Sequence, residues 1–316
     1  MALPLLAGST LGACLGHVAT HSPDSVTVFP SADERVTAAE LAQASAGAAH
    51  ALRAAGVRCG DVVGVLVPPG TRLLTTLFGA WRAGAAVLHL HAREPDGTPT
   101  QDRERFRELV DRIRDAGCDA IINLSTGTAG GRSVRDDRLQ PLQLKPEMAS
   151  FDCGTINFGD RIFEGDVPFL RRMGEAFKES GAKPELECFD TGYVGLALQL
   201  RDEGLLEDPL IVQFVVGVPG SGVPATVEQV DHMRRRLPPD ARWSVCALGP
   251  RQLPLNAHCI VAGGHVRTGL EDNLFLRKGE RATNEQLVAR VVRLAGELER
   301  PVATPDEARE ILAISG

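Results

Sequence analysis

From Asp61 onward the chain alternates between short, almost wholly apolar runs and longer amphipathic stretches. Asp61–Val67, Ala85–His91, Ala120–Asn123, Met148–Asp152, Pro184–Phe189, Leu210–Val216, Trp243–Ala247 and His265–Thr268 read as strands. Between them, Thr71–Ala83, Pro99–Ala116, Pro168–Ser180, Gly192–Glu203, Thr226–Arg236 and Gln252–Ala262 read as helices, and Thr283–Leu298 and Thr304–Leu312 close the chain. Strands that are apolar on both faces are covered on both faces, which in alternation with helices means a parallel sheet. Eight such units in about 255 residues suit a closed α/β architecture, the (β/α)8 TIM barrel, better than the doubly wound open sheet that the alternation also permits. Aromatic residues are only 4% of the chain, so the core is predicted to be built from Val, Leu, Ile and Ala.

Residues 1–58 read as an N-terminal appendage to a barrel of residues 59–316. Val26–Phe29 is a β-prone run, and Thr37 with Glu40 three residues on makes a capping box for an Ala-rich helix from Ala38 to Ala55. The formal net charge is −7 and no basic block stands out, which argues against nucleic acid as a partner. No apolar run reaches the ~18 residues of a membrane span. Seven scattered cysteines without a Cys-x-x-Cys pair point to a reducing, cytoplasmic setting rather than a disulfide framework. Leu11–Cys14 resembles a lipoprotein cleavage box, but the basic n-region of an export signal is missing.

In a barrel the chemistry collects at the C-terminal ends of the strands. His89 and His91 stand there with Leu90 between them. A strand's side-chain period of two aims both imidazoles at one face, which is half of a metal site; a plain polar pair at a strand end is the alternative. Ser125, Asp152, Glu187 and Asp190, and the Arg267, Glu271 and Asp272 group, gather at the same end of later strands.

Segments HLHAR, PTQD (99–102), STG, PEMAS (146–150), GTINFG (154–159), KPELECFD (183–190), QFVVGVPG (213–220), WSVCALG (243–249) and HVRTGLEDN (265–273) follow one another in the order found in the β-keto acid cleavage enzymes. The chain resembles that family over roughly residues 84–314. The resemblance implies a zinc-bearing (β/α)8 barrel that turns a β-keto acid and acetyl-CoA into acetoacetate and a new acyl-CoA, usually as a homo-oligomer. It implies His89, His91 and Glu271 as zinc ligands. Asp272 would be the base that forms an acetyl-CoA enolate, and Arg267 its partner. Ser125 and Ser150 would bind substrate, Glu187 would support, and Thr128, standing where the type member has glycine, would narrow the pocket. The Gly-rich loop Val218–Ala225 is the candidate for CoA contact.

The front of the chain departs from this pattern. Residues 17–86 are similar to the start of an AMP-forming acyl ligase, and the two resemblances meet at Ala83-Gly84-Ala85-Ala86. The first strand would then be Asp61–Val67, without the family's acidic substrate contact. Two other readings follow: a ligase fragment, for which Leu124–Gly131 would be the phosphate loop although it lacks the following Pro-Lys pair, and a barrel remnant of a gene fusion without catalysis.

Overall fold

The computed structural model describes residues 26–29, 34–37, 40, 43, 86–115, 117–127 and 135–314. The expected strand Asp61–Val67, the helix Thr71–Ala83 and the candidate Thr128 lie outside them. At the front, β1 (Val26–Phe29) pairs antiparallel with β2 (Glu34–Thr37), Val26 opposite Thr37. Thr37 and Glu40 make the reciprocal capping box read from the sequence: the Glu40 carboxylate accepts from the Thr37 N–H at 2.9 Å and the Thr37 hydroxyl from the Glu40 N–H at 3.1 Å.

Among the described residues, the main sheet starts at β3 (Val87–Leu90), followed by the short strands β4 (Ala92–Arg93) and β5 (Pro99–Thr100). Next come α1 (Arg103–Asp115), β6 (Ile121–Leu124), a 3-10 segment (Asp136–Leu144) and β7 (Met148–Asp152). The hairpin β8 (Ile156–Phe158) and β9 (Arg161–Phe163) leads to α2 (Val167–Ser180), β10 (Lys183–Cys188) and α3 (Thr191–Asp202). Then follow β11 (Ile211–Val216), α4 (Val227–Arg234), β12 (Arg242–Ala247), α5 (Gln252–Val261) and β13 (His265–Val266). The chain ends with the hairpin β14 (Phe275–Arg277) and β15 (Glu280–Arg281), then α6 (Asn284–Glu297) and α7 (Pro305–Leu312).

The main sheet runs β13-β12-β11-β10-β7-β6-β3, every neighbour parallel. These are the second to eighth strands read from the sequence. If the sheet were flat, its end strands would stand about 29 Å apart, at ~4.8 Å for each of six steps. Instead His91, just beyond β3, touches Glu271, just beyond β13, at 2.8 Å. The sheet is curled on itself, the fold is that of the (β/α)8 barrel, and the open-sheet alternative falls.

The helices begin where side chains satisfy their first N–H groups. Asp166 caps α2 at the Phe169 N–H, and Thr283 and Thr304 form capping boxes with Gln286 and Glu307 at α6 and α7. The helix expected from Pro99 starts four residues later. Pro99 and Thr100 pair with Arg93 and Ala92, and Asp102 accepts from the N–H groups of Glu104 and Arg105. A charged helical face was legible there, but the cap that set its start was Asp102.

Candidate metal centre and active site

Leu88 and Leu90 of β3 are buried against Phe106 and Ile113 of α1. That packing turns the alternate residues His89 and His91 to the barrel axis. Their Nε2 atoms are 3.3 Å apart, and Glu271 Oε1 lies 2.8 Å from His91 Nε2. Glu271 sits in a turn closed by the N–H groups of Asp272 and Asn273 on the Gly269 carbonyl. Buried Asn284, the first residue of α6, accepts from the Leu270 N–H at 2.7 Å and anchors the same turn.

Arg267 is the hub beside this cluster. It binds Asp272 through two parallel hydrogen bonds, 3.1 Å and 3.2 Å, and reaches Glu271 Oε2 at 2.8 Å, Glu187 at 3.2 Å and the Gln213 side-chain carbonyl at 3.3 Å. One guanidinium thus meets three carboxylates. Burial would lower Arg267, but the surrounding carboxylates hold it well above its usual range. Burial would raise Glu271, yet the Arg267 charge and the imidazoles keep it well below the usual carboxylate range. Asp272 and Glu187 move the other way, raised first by burial and then by neighbouring carboxylates, Glu271 and Asp152 respectively, against the pull of Arg267. Burial, with the Arg267 charge, holds His89 neutral.

This donor set fits a divalent cation. Lone-pair atoms of His89, His91 and Glu271 all lie within 4.8 Å of one another. Two neutral imidazoles and an ionised carboxylate are the ligand types of an open zinc site.

The remaining candidates divide. Ser125 donates to the Gly127 carbonyl at 2.9 Å, and the Ser150 hydroxyl accepts from the Thr126 N–H at 3.1 Å, so both brace the turn after β6. Glu187 joins the Arg267 cluster. Asp190, read as part of the polar rim, caps α3 through the N–H groups of Gly192 and Tyr193. Asp152 is held by Arg138 at 3.1 Å. His265 begins β13 and stands apart from the cluster; burial, with Arg300 and Arg242, lowers it to about 4.

Sequence reasoning missed a polar layer beneath the cluster. Glu185 accepts from Asn123 Nδ2 at 2.6 Å and Gln213 Nε2 at 2.8 Å, and Gln213 also reaches Ser244 at 3.3 Å. Burial raises the Glu185 carboxyl, against the pull of Arg267 and Asn123. A signal was present: Asn123 and Gln213 interrupt otherwise apolar strands, and Glu185 lies one period of two before Glu187. Below this layer a cavity of about 360 Å³ reaches the start of the strands, lined by Ala86, Met148, Ile211, Trp243, Val288 and Leu312 among others.

A barrel whose C-terminal mouth joins a His-His-carboxylate cluster to a buried arginine–carboxylate pair is built as an enzyme. The family model of the beta-keto acid cleavage enzymes matches residues 71–314, and the chain belongs to that family. It is 48% identical over 238 residues to the 3-keto-5-aminohexanoate cleavage enzyme of Acetoanaerobium sticklandii, covering 75% of this chain and 86% of that protein. It is 36% identical over 239 residues to the 3-oxoadipate:acetyl-CoA acetyltransferase of Cupriavidus necator, covering 74% and 83%. Among solved structures it is similar to ObcA in ternary complex with a C4-CoA adduct and oxalate: TM-score 0.64, 21% identity, 75% of this chain and 65% of that one. The chain is therefore an enzyme of the acetyl-CoA-dependent, carbon–carbon-cleaving transferase type. A weaker similarity, 26% over 140 residues, links it to an acetyl-coenzyme A synthetase of Debaryomyces hansenii, covering 42% of this chain and 19% of that protein. No helix among the described residues is long and apolar enough to cross a membrane.

Proposed function

We propose that this protein is a zinc-dependent β-keto acid cleavage enzyme that converts a β-keto acid and acetyl-CoA to acetoacetate and an acyl-CoA. The observation that carries the reading is the convergence of His89, His91 and Glu271 beside the Arg267–Asp272 pair. His89, His91 and Glu271 would hold the zinc, which would supply Lewis acidity towards the substrate oxygens.

The products fix which proton the base removes. Acetoacetate carries the keto acid's own CH2–COO⁻ unit with a new acetyl group on it. The carbon to be activated is therefore the keto acid's C2, between ketone and carboxylate. An acetyl-CoA enolate, the nucleophile expected from the sequence, would put the new bond on the wrong carbon. Asp272 takes the C2 proton, C2 forms a bond to the thioester carbonyl carbon, the CoA sulfur moves to the keto acid's C3, and the C2–C3 bond breaks. The proton returns to C2 from Asp272, so neither electrons nor water are consumed. Arg267 aims Asp272 through its paired hydrogen bonds and offsets negative charge that develops beside it. A buried carboxylate with a raised pKa is a stronger base than an exposed one, which suits it to a carbon acid. Glu187 holds the far side of Arg267. Ser125 and Ser150 set the shape of the substrate wall after β6.

We also place the division between appendage and barrel at residue 58/59, and the protein in the cytoplasm as a homo-oligomer. The free cysteines of the described residues, Cys118, Cys153, Cys188, Cys246 and Cys259, support the reducing compartment. The test is metal analysis of wild type against His89→Ala/His91→Ala, followed by acetyl-CoA-dependent acetoacetate release over a panel of β-keto acids. One zinc per chain with turnover supports the reading. Zinc without turnover on any keto acid favours the fusion remnant suggested by the replaced first strand, and ATP–pyrophosphate exchange favours the ligase fragment.

A further inference from the structure

His89 poses a question that its role as a ligand does not answer. Its Nε2 faces His91 and Glu271. Binding a cation there requires a bare Nε2, so the ring proton has to sit on Nδ1. Nδ1 is buried and has no hydrogen-bond partner. The carboxylate that faces it is Glu185, with Oε2 3.9 Å away.

Glu185 is itself an unusual residue to find in a strand that builds the barrel wall. Its side chain is 12% exposed, and each of its oxygens already accepts from an amide, Asn123 at Oε2 and Gln213 at Oε1. Those two bonds pin the carboxylate in place. They also fix the amide of Gln213 with its nitrogen toward Glu185 and its oxygen toward Arg267. A neutral amide at position 185 would set an N–H₂ group against another N–H₂ donor. One of the neighbours would have to flip, and a flipped Gln213 would present N–H₂ to the Arg267 guanidinium.

We propose that Glu185 is a positioning residue that acts on both halves of the site: it holds His89 in the Nδ1–H form with Nε2 free for the cation, and it orients Arg267 through Gln213. The inference rests on the zinc reading above for its functional consequence, but the ring state of His89 is measurable without metal.

The experiment uses the full chain and the isosteric variant Glu185→Gln. In metal-free wild-type protein, ¹⁵N NMR of the imidazoles shows His89 as the Nδ1–H tautomer. In Glu185→Gln the two tautomers mix. Zinc affinity, read by competition with a chromophoric chelator, falls about tenfold, the lower end of the range for residues that support metal-bound histidines. Glu185→Asp keeps the charge and restores the tautomer and most of the affinity. Ser244→Ala, which removes only the bond on the far side of Gln213, leaves zinc affinity within about twofold of wild type.

An Nε2–H tautomer in the wild type overturns the proposal, and so does a Glu185→Gln protein with unchanged tautomer and zinc affinity. A loss of affinity in Ser244→Ala equal to that in Glu185→Gln also overturns it, because the layer would then act through packing alone. If the wild type binds no zinc but its His89 tautomer still depends on Glu185, the zinc reading fails and the positioning of His89 stands. Should Glu185→Gln fail to fold, the wild-type tautomer and the Glu185→Asp variant decide the matter.

Discussion

Glu271 and Asp272 are adjacent carboxylates with opposite environments. Both meet Arg267, but Glu271 also lies against His91 and is held ionised by the Arg267 charge and the imidazoles, whereas Asp272 has no imidazole partner and is raised by burial and by the Glu271 charge. Their substitutions are expected to separate. Glu271→Gln loses zinc, whereas Asp272→Asn keeps it and lowers kcat by about 10²- to 10⁴-fold, the span of general base catalysis. Metal analysis beside steady-state kinetics checks this, and equal zinc loss in both variants would contradict the assignment. His265 gives a pH prediction away from the site. Its folded value is lowered from 6.5 to about 4 by burial, then by Arg300 and Arg242, so between those two values the unfolded chain binds the extra proton. Stability therefore falls as pH drops from 6.5 to 4, by up to about 3 kcal/mol from this group. Urea unfolding of His265→Gln should show a flatter acid slope than wild type. The paired histidines were legible as candidates because their spacing of two on an apolar strand is informative by itself. Glu271 was not: on its own it is an ordinary loop carboxylate, and only the family resemblance singled it out.

Among the elements, the parallel strands were legible because a strand buried on both faces leaves a continuous apolar run. The hairpins were not. β4 with β5, β8 with β9, and β14 with β15 are strands of two or three residues, several exposed, too short to show a period. The 3-10 segment Asp136–Leu144 escaped for a related reason, since its sequence, DDRLQPLQL, has polar residues and a proline in place of a helical stripe. What fixes it is tertiary. Arg138 is 1% exposed, lies 4.2 Å over the Phe163 ring, donates to the carbonyls of Thr126 and Glu164, and pairs with Asp152. One side chain thus ties the segment to the ends of β6, β7 and β9. Arg138→Met leaves the Asp152 charge buried without its partner and should cost about 3–5 kcal/mol, as breaking one side of a buried ion pair does. Urea denaturation measures it, and a loss below about 1 kcal/mol would show that Asp152 finds another partner.

At the scale of the whole molecule, the described sheet has two ends, β3 and β13, that do not pair with each other. Among the described residues, contacts at the mouth link them: His91 with Glu271, 180 residues apart in sequence, and the polar layer from Asn123 through Glu185 and Gln213 to Arg267. A cation shared by His89, His91 and Glu271 would join the two ends of the sheet at a single point. It would therefore act on the stability of the barrel as well as on the reaction. A ligand that binds the folded state alone adds about 2.7 kcal/mol when present at a hundred times its dissociation constant. For a domain of this size, that corresponds to roughly 5–10 °C in Tm. Stripping zinc with a chelator should lower Tm by that amount, and restoring zinc should recover it. In His91→Ala, which removes the proposed ligand between His89 and Glu271, the Tm should be insensitive to chelator and to added zinc alike. A wild-type Tm that ignores the chelator while metal analysis shows the zinc gone would mean that the barrel closes without help from its mouth, and that the cation serves catalysis only.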